Sequence, residues 1–533
     1  MLLVDLLTLW FCFFLIWGLV NRGVPIFQDL IRDITFFFME KALGPGADLF
    51  TGGRGSGASS WMMHGMLWAC IGGTFTFIGL WMGHEPDAIA SLSSVYYEPS
   101  TSTVKEVAYG ASTGGILMLL IGAGLHINAR LSGVDLASET NAVIVSFGFS
   151  TSLLIGFIAN HLNSDLGDLF GTIASVISLM VIIAVLANHL LTIGRRTNST
   201  IMPSQWLIVG GLSLPLLLCL ADILVGVNDA MSESMEVLPM LTGALAVALY
   251  VVPFESRMPL WSRTLAGATV LMSFMALSPI GVEGLADVNI NEAALLSIFY
   301  AASMIPILAT FTNVFQTARS NWDVASSSPG SNAVMMGMFL LLGSSIGYLF
   351  IGADAHSVEE IQYLAPSMDI LFLWGAMGLI AWGGVITCFP AATNRKLHSS
   401  DTNRTTIWMV AGGSTLAFLF SMGASMVASS YASAAAANDT IDPDLIDMSA
   451  IETLSTLGSV AFYSVAIAAI LMMLNMIRGY FGGASTSMEE PTSPSANSLA
   501  LTPGTTTIRQ LLSAGAGVDT EIDVICDTCD EEE

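Results

Sequence analysis

The chain has 533 residues, 53% hydrophobic and only 11% charged, with 42 acidic residues against 16 lysines and arginines and a net charge of −26. A soluble domain carries about 25% charged residues and cannot expose this much apolar surface, so the composition excludes a water-soluble globular protein. The acidic balance leaves no basic patch for phosphates and excludes a nucleic-acid binder, and six scattered cysteines make no disulfide framework.

Apolar runs of about 20 residues, enough to cross about 30 Å of hydrocarbon, recur in chain order. They fall near 2–20, 60–83, 108–128, 141–160, 169–193, 204–226, 236–252, 262–281, 292–315, 333–352, 366–389, 406–430 and 454–478. Each run is apolar on nearly every face, as bundled helices require and as the alternating strands of a membrane barrel do not. The first has no basic leader and no small-residue cleavage site, so it reads as a retained helix.

Loop charge tests the count. The loop after the first run holds Arg22, Arg32, Lys41 and Arg54. Every second loop afterwards holds the other basic residues: Arg130; Arg195 and Arg196; Arg257 and Arg263; Arg319; Arg395, Lys396 and Arg404; then Arg478 and Arg509. Lys105 alone falls on the opposite side. The positive-inside rule makes the basic side cytoplasmic, in a multi-pass protein of the plasma membrane with its N-terminus outside and C-terminus inside. Residues 481–533 turn to Gly, Ser, Thr and Pro and end in Asp530–Glu533, which reads as a disordered acidic tail. Cys526 and Cys529 there have a two-thiolate spacing, a weak candidate metal pair with no second pair or histidine nearby.

Several stretches carry a resemblance. Asn228–Leu265 contains Asp229-Ala230-Met231, then Tyr250 and Pro253, then Pro259, Trp261 and Ser262. Trp382–Ser399 contains Gly383, Pro390, Asn394, Arg395 and Leu397, while Arg195-Arg196 precedes Gln205-Trp206. Met304–Trp322, Leu457-Gly458 and Asn475 add to these. In order and spacing they resemble helices four to six, eight, ten and twelve of haem-copper oxidase subunit I. The likeness is greatest to C-class cytochrome c oxidases and nitric oxide reductase catalytic subunits. The resemblance implies an all-α polytopic fold: a twelve-helix subunit I-like bundle over residues 60–480, with helix ten central and facing helices two, six and seven. An extra transmembrane helix over residues 1–20 and a cytoplasmic loop over 21–59 would precede it.

That family holds two haems and a copper with six histidines, because neutral imidazole binds iron and copper within a bundle. The resemblance places Asp369-Ile370-Leu371 at the helix-ten ligands, Glu233 at the helix-six ligand, Ser278–Gly281 at the helix-seven pair, and Tyr109–Ser112 at the start of helix two. None is histidine. No haem or copper is therefore expected, and Met368, Leu371, Phe372, Met235 and Met240 are expected to fill the space. His64 is a weak candidate haem ligand, with a carbonyl or water contact as its ordinary role. His126, His161 and His189 sit near helix ends, as interfacial residues do. Asp222 and Asp369 are intramembrane carboxyls, expensive and so candidates for function; Asn313, Thr242 and Asn475 are further polar groups within the runs.

The resemblance implies a degenerate oxidase, a pseudoenzyme serving as a non-catalytic or accessory component of an aerobic respiratory complex, with other membrane subunits as partners. The alternatives are an active terminal oxidase using haem and copper through unrecognised ligands, and a multi-helix secondary transporter. By eye the sequence carries no internal symmetry of the kind transporters show. The charge asymmetry makes a direct prediction. A cysteine placed at Asp442 is labelled by an impermeant reagent from outside intact cells, and one at Arg395 is not; the reverse pattern refutes the orientation.

Overall fold

The structure, a computed structural model, describes residues 52–89, 99–225, 229–275, 290–354, 366–437 and 449–483, less scattered single positions. The expected helix over 1–20, the tail with Cys526 and Cys529, and the side chains of Asp222, Glu233 and Met235 lie outside the described residues. The described chain is helical, without a strand. Its helices are α1 (Ser56–Met82), α2 (Thr101–Ser132), α3 (Glu139–Ala159), α4 (Ser164–Gly194), α5 (Pro203–Val225) and α6 (Asp229–Ser256). There follow α7 (Arg263–Met275), α8 (Ile290–Arg319), a helical turn at Trp322–Ser327, α9 (Pro329–Asp354), α10 (Pro366–Thr393), α11 (Ser400–Ala437) and α12 (Ser449–Gly482). Nine of these are long and apolar enough over their described residues to cross a membrane. The protein is a multi-pass membrane bundle.

Local chemistry sets the ends. Ser100, Ser138, Ser262 and Ser399 precede α2, α3, α7 and α11, and each side-chain oxygen accepts a backbone N–H from the first turn. Gly133, at φ 68°, closes α2 in the left-handed conformation that a side chain disfavours, and Asn394 does the same for α10 at φ 52°.

Consecutive helices pack as antiparallel pairs, α1 with α2 most extensively. Gly65 and Gly72 on α1 lie against Gly115–Leu119 and Ser112 of α2, and Gly115 and Gly122 on α2 lie against Ala69 and Met62 of α1. A Cβ on Gly115 would lie 2.6 Å from the Ala69 nitrogen, and one on Gly72 would lie 2.6 Å from the Ser112 nitrogen. The backbones therefore approach too closely for any other residue, as small residues permit in lipid.

Three other pairs are fastened by one repeated device. Asn188 of α4 accepts the Ser138 N–H (3.3 Å) and donates to the Ser138 carbonyl (2.8 Å). Asn313 of α8 treats Ser262 identically, at 3.1 and 2.8 Å, and Asn475 of α12 treats Ser399 identically, at 2.8 and 3.0 Å. In each case the amide brackets both backbone groups of the serine that caps the partner helix. Four residues on, Thr192 and Thr317 accept the N–H of the residue before that serine (3.0 Å each), while Gly479 lets the Lys396–His398 backbone lie against α12. The same clamp thus recurs on α3–α4, α7–α8 and α11–α12, all at one end of the bundle.

Helix α10 occupies the centre and is buried over its whole membrane-crossing length. It packs against α1, α2, α6, α9 and α11. Helices two and six thus face it as expected, but the described part of α7 packs chiefly against α8 and α5. The α1–α2 contact supplies the stability test. Gly115→Leu inserts bulk where backbone touches backbone, and overpacking of this kind costs about 1–3 kcal/mol. Thermal unfolding in detergent should shift down clearly, whereas Gly110→Leu, whose Cβ has open space, should change it little.

Candidate functional site: the central helix and its two ends

At the end of α10 away from the clamps, half-buried Asp369 accepts a hydrogen bond from the Tyr348 hydroxyl of α9. Tyr348 is buried and meets the Phe372 ring edge-on, with centroids 6.0 Å apart. Two residues nearer the helix start, the Ser367 and Ser425 hydroxyls bond α10 to α11 at 3.2 Å. Asp369 is thus a helix N-terminal carboxylate, where the helix dipole favours negative charge.

Along its middle α10 is packed with bulk. Met368, Leu371, Phe372 and Trp374 are buried, as is Met240 of α6. Trp374 meets Phe462 edge-on at 5.7 Å, and its ring tip lies 3.2 Å from where a Cβ on Gly73 of α1 would sit. Residues Leu371–Gly378 form a π-helical run, a rare geometry that redirects side chains and is concentrated at functional or strained places. The buried Trp374 and Trp382 indole N–H groups have no hydrogen-bond partner among the described residues, and neither do the hydroxyls of Ser345 on α9 and Thr310 on α8. Buried polar groups left without protein partners are where ordered water belongs.

At the clamp end the structure reveals a residue that the sequence did not single out. Glu255, in the last turn of α6, accepts from the Thr387 hydroxyl of α10 and from the Ser331 N–H (2.6 Å) at the start of α9. One carboxylate therefore joins three helices and neutralises the N-terminus of α9. Glu139 does likewise for α1, accepting from the Gly55 and Gly57 N–H groups at 2.7 and 2.8 Å. The available signal was a lone acid at the end of an apolar helix, in a loop region otherwise basic.

The described histidines do not converge on α10. His64 contacts the Ser146 hydroxyl (3.2 Å) and the Phe147 ring on α3. Gly73, which faces Trp374, lies nine residues further along α1, about half a turn round the helix at about 100° per residue. His64 therefore faces away from the central helix. His189 does lie near the end of α4, but it is wholly buried rather than interfacial: Asn128 of α2 bonds its Nδ1 at 3.1 Å, and Gln205 of α5 bonds Asn128 in turn at 2.9 Å. His161 bonds the Phe157 carbonyl, His126 is half-buried near the end of α2, and His398 is exposed after α10. His84 and His356 lie outside the described residues. Asn313 and Asn475 are clamps, and Thr242 donates to carbonyls of its own helix. Asp222 falls on α5, its side chain beyond description.

The architecture defines a class: a polytopic bundle of paired helices around one enclosed helix. It is the fold of the haem-copper terminal oxidases. The cryo-electron microscopy structure of a haem-copper terminal oxidase dimer matches 87% of this chain and 91% of its own, with a TM-score of 0.62 and 10% sequence identity. No protein-family model and no curated protein sequence matches the chain.

Among the described residues no set of side chains fits the metal groups of such a protein. Within the helices α5 to α12 there is no histidine, His356 and His398 lying between helices, and among the described residues no three His, Cys, Asp or Glu side chains come together as a metal-holding group. The positions toward which α10 would direct ligands are taken by Asp369, already bonded to Tyr348, and by close-packed apolar groups. The carboxylate at the other end is the one to test for structural weight. Glu255→Ala leaves the Ser331 N–H and the Thr387 hydroxyl without their acceptor, at about 1–3 kcal/mol for an abandoned buried donor. The expected result is a lowered detergent melting temperature, with Glu255→Gln recovering part of the loss; no change would show the three-helix junction to be dispensable.

Proposed function

We propose that the chain is a non-catalytic relative of the haem-copper oxidases, retained as an accessory subunit of an aerobic respiratory complex in the plasma membrane. The observation that carries this reading is the make-up of the central helix. In place of imidazoles, α10 presents Met368, Leu371, Phe372 and Trp374, each buried against neighbouring helices. An emptied haem pocket would be a large void, and voids destabilise by about 24 cal/mol per Å³. A chain that no longer binds the groups gains from filling their places, and methionine and aromatic side chains suit irregular gaps. What such a protein offers a complex is its membrane-embedded surface and its ends.

The test is a visible absorption spectrum with metal analysis of purified protein. We expect no Soret band and iron and copper well below one equivalent. A stoichiometric haem spectrum abolished by His64→Ala would overturn the proposal and establish a surviving site on α1.

A further inference from the structure

The end of the bundle that carries the clamps is strongly basic in an otherwise acidic protein. Its described segments hold eleven lysines and arginines and five acidic residues, from Arg54 to Arg478. Four acidic groups are engaged or offset there: Asp135 pairs with Arg54 at 2.7 Å, Glu139 and Glu255 cap helices, and Asp401 stands in the first turn of α11. Arg257, Arg319, Arg395, Lys396, Arg404 and Arg478 are all exposed, and among the described residues none has a carboxylate within ion-pair distance. This leaves an uncompensated positive surface.

Its position argues against lipid as the main occupant. Arg257 follows α6, and Arg395 and Lys396 follow α10. These are the two most buried membrane-crossing helices, so their ends lie at the middle of the bundle's face, away from the lipid rim. Arg404 donates to the Ser327 carbonyl between α8 and α9. An occupant must reach inward across the face.

The chain has one segment with the required charge and starting point. Residues 484–533 contain ten Asp and Glu and a single basic residue, Arg509. Helix α12 delivers them to this end: Gly479 and Gly483 lie against the Lys396 carbonyl, beside the basic cluster. Fifty residues can span at most about 165–180 Å at about 3.3–3.6 Å each, enough chain to cross a twelve-helix face. We propose that the acidic segment 484–533 docks across the basic end of its own bundle and covers it. Tethering makes the encounter intramolecular and supplies an effective concentration in the millimolar range, while many weak exposed pairs give a contact that salt weakens. Partners approaching that end would meet the docked segment first. The inference does not depend on whether metals bind.

Lys396 makes the contact measurable, because outside the basic cluster the only other lysines are Lys41 and Lys105. Full-length protein is reconstituted in neutral phosphatidylcholine vesicles and treated with a zero-length carbodiimide, which joins an amine to a carboxylate in contact with it. Cross-linked peptides are then read by mass spectrometry. We expect Lys396 joined to an Asp or Glu of 484–533 within one chain, as a mixture of isotopically light and heavy protein distinguishes. The yield should fall at least threefold in 1 M salt, and again in the Arg395→Gln/Arg404→Gln variant, whose changes lie on the surface and leave the fold intact. Absence of the Lys396–tail peptide, or a yield indifferent to both salt and variant, overturns the proposal. So does its loss when the vesicles contain phosphatidylglycerol, since anionic lipid would then be the preferred occupant.

Discussion

Where a helix end is packed against its neighbour and shielded from water, its backbone groups need a partner from within the protein. Three asparagines answer this need in the same way. Asn188, Asn313 and Asn475 each take both the N–H and the carbonyl of a capping serine on the preceding helix. An amide is suited to the task because it carries one acceptor and two donors on a short, rigid stem. The rest of the bundle's geometry follows from these joints. They fix where each pair of helices is hinged, set one end of the bundle in register, and leave the pairs to close around α10.

The enclosed helix shows what such a frame permits. Its outer shell is held by clamps, glycine contacts and two helix-capping glutamates. Tryptophan, phenylalanine and methionine occupy the centre here, and a few hydroxyl and indole groups there retain unmet hydrogen-bonding capacity. The interior is apolar in bulk yet not chemically silent.

Much of this architecture is legible in the sequence because lipid imposes a strict rule on length and hydropathy. The runs at 141–160, 366–389 and 454–478 coincide with α3, α10 and α12, and the twelve-helix bundle expected from them has the fold of the solved oxidase despite 10% identity. The threefold clamp was not legible. Its serines and asparagines stand 50, 51 and 76 residues apart, and Asn-x-x-x-Thr occurs in only two of the three copies, so no fixed period announces it. Glu255 was hidden for another reason: a single acid at a helix end looks like a solvated terminus until the Thr387 and Ser331 contacts reveal a junction. His189 misled in the opposite sense, since proximity to a helix end says nothing about what covers it. The π-helical run over Leu371–Gly378 has no sequence signature that we can name.

The clamps also impose a timetable. Each joins two helices that are neighbours in the chain, so it can close as soon as its second helix has entered the membrane, with no help from later segments. Helix α10 has no such independence. Its neighbours α1, α2 and α6 are made well before it, but α11 is made afterwards, so its surroundings are complete only when synthesis is almost over. Hairpins that fasten early and a centre that is sealed late give the nascent protein a long interval with an open interior. In a chain of this shape, that interval is when quality control can tell a finished bundle from an unfinished one.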